Sequence, residues 1–175
     1  IHATYTYLAF HKPVGYVCTH AHFAHQQSVF DLLPRQYQQL KIAGRLDKGS
    51  SGLLILSDDG VFINQLTHPR YQHAKEYLVT VPQPLTPTQL RSLQQGIRLD
   101  EGLARTDHIR AVRHSTYSII LHQGWKRQIR RMLEKAGSRA VSLQRIRIGQ
   151  YQLGDLAIGR YTTIGRQEVL EKPLP

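Results

Sequence analysis

Apolar positions recur along this chain in two rhythms, one suited to strands and one to helices. Residues 4–11, Thr-Tyr-Thr-Tyr-Leu-Ala-Phe-His, are rich in β-formers and alternate at first, which predicts a strand stopped by Pro13 and Gly15. Leu53 to Leu56 are continuously apolar, the pattern of a strand buried on both faces. Lys75 to Val81 reads as another strand. Residues 104–112 and 116–121 form a candidate antiparallel pair about His114-Ser115, and 140–148 and 160–164 add two more strands. Helical spacing is rarer. Val29 to Leu33 predicts a short helix closed by Pro34, and Asp58 or Asp59 can cap a second helix that runs to about Thr67 and ends at His68-Pro69. The clearest helix starts at Thr86. Thr86 and Gln89 have capping-box spacing, Pro87 falls at the first helical position, Leu85 can staple onto Leu90, and Gly96 ends the run. A last helix spans about 127–136 with Gly137 as its stop, and the polar, His-rich stretch 18–27 reads as a loop.

Strands therefore outnumber helices and do not alternate with them regularly. That predicts an α+β fold on a mainly antiparallel, mixed sheet flanked by helices, rather than a doubly wound one. There is no internal repeat and no low-complexity segment. A length of 175 residues suits one domain, 1–175, built as two lobes around a cleft. Pro82-Gln83-Pro84 is the one hinge-like segment, which puts the division near 82–85.

Charge narrows the class of partner. Lys and Arg number 23 against 12 Asp and Glu, a net +11, which points to a polyanion, with nucleic acid ahead of an anionic membrane surface. No apolar run approaches the ~20 residues of a membrane span, and the N-terminus lacks a signal-peptide pattern, so a soluble, cytoplasmic protein is expected. Cys18 alone excludes an internal disulfide and is compatible with a reducing compartment. Much of the positive charge sits between Trp125 and Arg147, where eight Lys or Arg face the single acid Glu134. On the helix inside that segment, Ile129, Met132, Leu133 and Ala136 share one face, and Arg127, Arg130, Arg131 and Glu134 the other. Arginines in a first helical turn oppose the macrodipole at about 0.3–1 kcal/mol each, so helix stability does not explain them. Either this is a solvated basic face, or it meets anions or a carboxylate, and the net charge favours the second reading.

Candidate chemistry centres on Gly44 to Gly60, Gly-Arg-Leu-Asp-Lys-Gly-Ser-Ser-Gly-Leu-Leu-Ile-Leu-Ser-Asp-Asp-Gly. In an extended segment Arg45 and Asp47 project to one side and Leu46 to the other, so the charged pair can share a pocket. The glycine-rich turn keeps bulk away from the carboxylate, and the apolar strand after it makes a rigid support. Two readings of Asp47 stand at this point: a nucleophile, or a residue that braces its own turn through an Asx-type hydrogen bond. Cys18, His20, His22 and His25 are all metal-ligand types, but their spacing matches no common closed zinc site, and no metal is expected.

Taken together, these segments resemble the pseudouridine synthases, in the branch that isomerises single uridines of bacterial ribosomal RNA. Lys12-Pro13-Val14-Gly15 is similar to the family's first motif, Gly44-Arg45-Leu46-Asp47 with Ser51-Gly52-Leu53-Leu54 to its catalytic motif, and Lys75-Glu76-Tyr77 to its Lys-x-Tyr motif. Gly124-Trp125-Lys126-Arg127-Gln128-Ile129-Arg130-Arg131-Met132 resembles its arginine motif, and Val141, Leu143, Arg145 and Ile148-Gly149 fall at the spacing of its closing pattern. Ser50 stands where the family usually has Thr, a swap that keeps the hydroxyl.

The resemblance implies a uridine-to-pseudouridine isomerase with no cofactor, acting as a monomer on flipped-out RNA. It implies Asp47 as nucleophile, Tyr77 as the residue that stacks on the turned base and handles its proton, and Arg130 as the cation paired with Asp47, holding it ionised. Lys12, Arg45, Lys75, Arg127, Arg131 and Arg145 are assigned to RNA, chiefly its phosphates and the space left by the flipped nucleotide. Many relatives carry a small N-terminal RNA-binding module that nothing before residue 4 could encode, so the chain resembles the short type, large-subunit synthase E, or a chain from which the module was removed. That favours large-subunit 23S over small-subunit 16S rRNA. A non-catalytic RNA-binding or ribosome-assembly protein on the same fold is the rival, and the Arg-Arg-Met ending of the arginine motif argues against a tRNA-directed relative.

Overall fold

The computed structural model describes residues 4–71 and 73–171. Its strands in chain order are β1 (Tyr7–Lys12), β2 (Tyr16–Val17), β3 (Gln27–Ser28), β4 (Lys41–Ala43), β5 (Ser51–Ser57), β6 (Lys75–Thr80), β7 (Ile97–Leu99), β8 (Gly102–Ala104), β9 (His108–Arg113), β10 (Thr116–Leu121), β11 (Ser142–Ile148), β12 (Tyr151–Gln152) and β13 (Tyr161–Thr163). Three α-helices, α1 (Gly60–Thr67), α2 (Pro87–Gln95) and α3 (Gln128–Lys135), complete the regular structure with a few 3-10 turns. Nine strands form one sheet in the order β13-β1-β5-β11-β6-β10-β9, with β4 also on β5 and β12 on β11. Within it only β5 and β11 run parallel, so the expected mainly antiparallel, mixed α+β sheet is what forms. Among the described residues no helix is long and apolar enough to cross a membrane.

The apolar run of β5 explains the middle of the molecule. Leu53 to Leu56 are all fully buried because Leu54 and Leu56 join one core with Leu8, Phe10 and Phe30, while Leu53 and Ile55 join another with Phe62 and Ile148. A third core lies across the sheet, where Val79, Tyr117, Ile119 and Leu143 meet Leu93 of α2 and Ile129, Met132 and Leu133 of α3. The halves join where β11 approaches β5 through Arg145 and Gly52. A β-carbon on Gly52 would stand 2.2 Å from the Arg145 carbonyl oxygen, and its φ of +115° is one that side-chain-bearing residues rarely adopt, so glycine is what lets this seam close. Pro82-Gln83-Pro84 lies instead inside the second half, leading from β6 into α2, and Val81 and Leu85 on either side belong to the same core. The division expected near 82–85 therefore does not coincide with a boundary between cores.

Most local signals act as read. Asp59 rather than Asp58 caps α1, accepting from the amides of Val61 (3.1 Å) and Phe62 (3.2 Å). Asp59 also accepts from the Tyr7 hydroxyl at 2.6 Å; burial and this carboxylate push the phenol pKa up to about 12. The Thr86–Gln89 capping box is formed, with bonds of 3.1 and 2.9 Å. Two expectations change in form. Val29–Leu32 closes only a 3-10 turn, and residues 104–112 break into β8 and β9, because β8 folds back on β7 while β9 pairs with β10.

Candidate active site

Arg45, Leu46 and Asp47 leave β4 as extended chain, and Asp47 to Ser50 then closes a turn, with the Ser50 amide donating to the Asp47 carbonyl at 3.0 Å. Leu46 goes into the core below, and Arg45 and Asp47 line a cleft of ≈ 770 Å³ at the junction of the cores. The shared pocket expected from their spacing is present. Tyr77 and Lys75 on β6 line the same cleft, and Tyr77 packs against two of the cores at once. Trp125, Lys126 and Arg127 close it from the loop before α3. Arg127 is exposed, in a left-handed conformation (φ +53°), so it stands ahead of the helix rather than within its first turn. Residues 44–47, 75–77 and 125–127 thus meet in one basin.

Asp47 is half-buried, and among the described residues its carboxylate accepts no hydrogen bond. The turn-brace reading therefore has no bond to support it. The brace comes instead from cations beneath the turn. Lys12, fully buried, donates to the carbonyls of Ser50 (2.6 Å), Pro13 (2.9 Å) and Lys48 (3.3 Å). Gly15, at the end of the same Lys-Pro-Val-Gly motif, donates its amide to Lys48 at 2.8 Å. Arg145, 2% exposed, bridges the carbonyls of Gly44 (2.7 Å) and Leu53 (2.9 Å), one on each side of the loop. Arg130 donates to the Gly49 carbonyl (3.0 Å) and the Ser50 hydroxyl (3.1 Å). Three cations hold the loop by its oxygens and leave the carboxylate free.

Several assignments made from sequence change accordingly. Lys12 is buried with its ammonium on three carbonyls, and Arg145 reaches the cleft wall but is 2% exposed with its guanidinium donating to two carbonyls, so neither presents an exposed charge to phosphate. Arg130 forms no ion pair with Asp47 within 4 Å among the described residues; its guanidinium reaches the turn after Asp47 instead. Arg131 forms a two-pronged pair with Glu101 at 2.6 and 2.8 Å, so it too is engaged. The exposed or half-buried cations on the cleft are Arg45, Lys75 and Arg127, joined by Lys48 and Lys126, each of which adjoins a residue singled out from the sequence. Burial pulls the Lys12 ammonium below its ordinary pKa, opposed by the nearby Cys18 and Asp47. Lys75 is lowered by burial and then by the Arg145 charge. Arg130 is lowered by burial and by Arg127, with Asp47 acting the other way. The carboxylate thus sits in a positive surround without a direct ionic contact. No cluster of His, Cys, Asp and Glu that could hold a metal ion occurs among the described residues.

The sequence matches the RNA pseudouridylate synthase family over residues 6–135. It is 36% identical over 148 residues to ribosomal large subunit pseudouridine synthase B of Vibrio cholerae, covering 81% of this chain and 46% of that one. It is 30% identical over 172 residues to ribosomal small subunit pseudouridine synthase A of Yersinia pestis, covering 97% and 73%. The chain spans about half the length of the first curated relatives it matches. A crystal structure of a pseudouridylate synthase superposes with a TM-score of 0.86 at 26% identity, over 94% of this chain and 72% of that one. The archaeal box H/ACA Nop10–Cbf5 complex shares the fold at a TM-score of 0.60 and 15% identity, over 86% of this chain and 50% of that one. With its fold, its motifs and most of its length accounted for in this way, the chain belongs to the RNA pseudouridylate synthase family.

Proposed function

We propose that this protein isomerises a specific uridine of ribosomal RNA, in the large subunit, to pseudouridine, with Asp47 as the group that acts at the ribose anomeric carbon. The observation that carries this reading is the Asp47 carboxylate, held on a turn clamped from below and, among the described residues, left without a hydrogen-bond partner in a cleft edged by cations. The reaction breaks the bond from ribose to uracil nitrogen, turns the base and rejoins it through carbon. It involves no net redox change, so no cofactor is called for. A carboxylate aimed at the anomeric carbon needs fixed placement more than a tightly bound counter-ion, since misplacement by ~1 Å can cost on the order of 10²-fold in rate. The clamp supplies that placement. Tyr77, wedged between two cores, presents a rigid ring on which the turned uracil stacks, and its hydroxyl is the proton-handling group. Arg45, Lys48, Lys75, Lys126 and Arg127 take the phosphates around the flipped nucleotide. The flip costs a few kcal/mol, which favours a uridine in a loop, bulge or opened strand.

The large-subunit target is the sequence-based preference; curated relatives act on either subunit by name, synthase B on the large and synthase A on the small. The closer assignment to the synthase E type is tested together with that target. Asp47→Asn removes the nucleophile and keeps the side chain's size: conversion of uridine in rRNA transcripts is expected to vanish while RNA affinity stays within a few-fold. Retained conversion would sink the assignment. Chemical mapping of pseudouridines in total rRNA from a strain lacking the gene is expected to show one site missing from 23S rRNA; a loss from 16S would move the target to the small subunit.

A further inference from the structure

The His-rich stretch after Cys18 is the one conspicuous sequence feature that neither metal binding nor the cleft has absorbed. Its residues part company in the fold. Cys18 is buried at 5% exposure, whereas His20 is exposed and held in one orientation by two contacts. Its ring lies flat on Phe30, with centroids 3.9 Å apart and planes 22° from parallel, and its Nε2 is 3.0 Å from the Leu40 carbonyl oxygen. Phe30 in turn is core, carried on the 3-10 turn capped by Ser28. An exposed aromatic ring is thus fixed on a rigid base.

Beside this ring lies a second hollow of ≈ 320 Å³, lined by Cys18, Thr19, His20, Lys41, Ile42 and Arg45 among others. Cys18, Ile42 and Arg45 also line the main cleft, so the two basins adjoin, with Arg45 common to both. We propose that this hollow receives the base of a nucleotide flanking the flipped uridine, stacked on His20, with the phosphate between the two nucleotides on Arg45. The proposal rests on the uridine-isomerising reading of the main cleft. The lining combines a flat aromatic face, an aliphatic wall and two exposed cations, Lys41 and Arg45, with no carboxylate. That is the chemistry single-stranded RNA recognises: a stacking surface for the base and positive charge along the backbone. A ring already oriented by Phe30 and Leu40 loses little freedom on binding. Flipping the uridine also strips its neighbour of a stacking partner, and His20 replaces it, so recognition of the flank helps to offset the flip itself.

The test uses labelled nine-nucleotide RNAs, A4-U-A4, and four variants with an abasic site at −2, −1, +1 or +2 from the uridine. Binding is read for wild type, His20→Ala and His20→Phe, and uridine conversion by the same three proteins is followed in 23S and 16S rRNA transcripts. His20→Ala is expected to weaken the intact RNA by about 5- to 150-fold, the range of one lost base–aromatic stack. That loss should disappear for one abasic RNA, and His20→Phe should restore affinity. If His20→Ala leaves affinity unchanged, or weakens every RNA including all four abasic ones by the same factor, the proposal is overturned; the second result is what a merely loosened loop produces. The conversion assay separates the two readings. A His20-dependent, position-specific loss of binding without conversion upholds the stacking site and counts against the isomerase, whereas conversion insensitive to His20 does the reverse.

Discussion

Lys12→Met tests whether buried cations hold the Asp47 loop or serve RNA. Methionine keeps the apolar stem and removes the ammonium that donates to Ser50, Pro13 and Lys48. The Ser50 carbonyl is left without that donor in a buried site, at about 1–3 kcal/mol for an unsatisfied group. The Lys48 carbonyl keeps the Gly15 amide and the Pro13 carbonyl is partly reachable by water, so each adds less, and relief from burying a charge returns part of the total. The net expectation is a loss of about 2–4 kcal/mol. In a domain of this size that lowers the melting temperature by about 4–16 °C. A second readout separates the roles. Were Lys12 a phosphate ligand, the slope of log affinity against log salt would shrink by about 0.7, the single-strand value per phosphate, with stability barely touched. Held as it is beneath the loop, Lys12→Met should leave the salt slope of RNA binding unchanged while the turnover rate falls with the loosened carboxylate. Thermal melts together with a salt titration of RNA binding decide it. An unchanged melting temperature with a flattened slope would instead place the Lys12 ammonium on an RNA phosphate.

Two further outcomes follow from the fold. Gly52→Ala places a β-carbon 2.2 Å from the Arg145 carbonyl oxygen and 2.6 Å from its nitrogen, at φ +115°, so β5 and β11 must part; a loss above about 3 kcal/mol by urea unfolding is expected, and a variant within 1 kcal/mol of wild type would contradict the seam. His73 is buried with Nδ1 unpartnered among the described residues, and burial holds its pKa below the ordinary value, against a raising effect of Glu171. The unfolded chain therefore takes up the proton first as pH falls, so stability is complete above about pH 6.5 and declines below it by at most about 1.4 kcal/mol per pH unit. Urea unfolding between pH 7 and 5 should show that slope in wild type and a shallower one in His73→Gln; equal slopes would rule His73 out as its source.

Local chemistry was legible wherever a residue's neighbours in sequence are also its partners in space. The Thr86–Gln89 box, the Asp59 cap and the doubly buried Leu53–Leu56 strand all form as their spacing implies. The short pieces were not legible. Three-residue β7 and β8 and two-residue β2, β3 and β12 carry too few side chains to show a period, and each exists because an adjoining strand offers it backbone partners.

Charge divides along the same line. From the sequence alone came the surplus of cations, the family motifs, and the meeting of Arg45 and Asp47 on one side of an extended segment. Which cations face the cleft was a matter for the tertiary structure. Lys12, Arg130 and Arg145 look no different in sequence from Arg45 or Arg127, yet the first three are drawn inward by carbonyls that the 44–50 loop leaves without strand partners. Backbone oxygens are present at every residue and leave no mark in composition or spacing. Their demand for donors appears only once the chain is folded, and that demand turns part of the positive charge into a scaffold for Asp47 and leaves the rest lining the cleft.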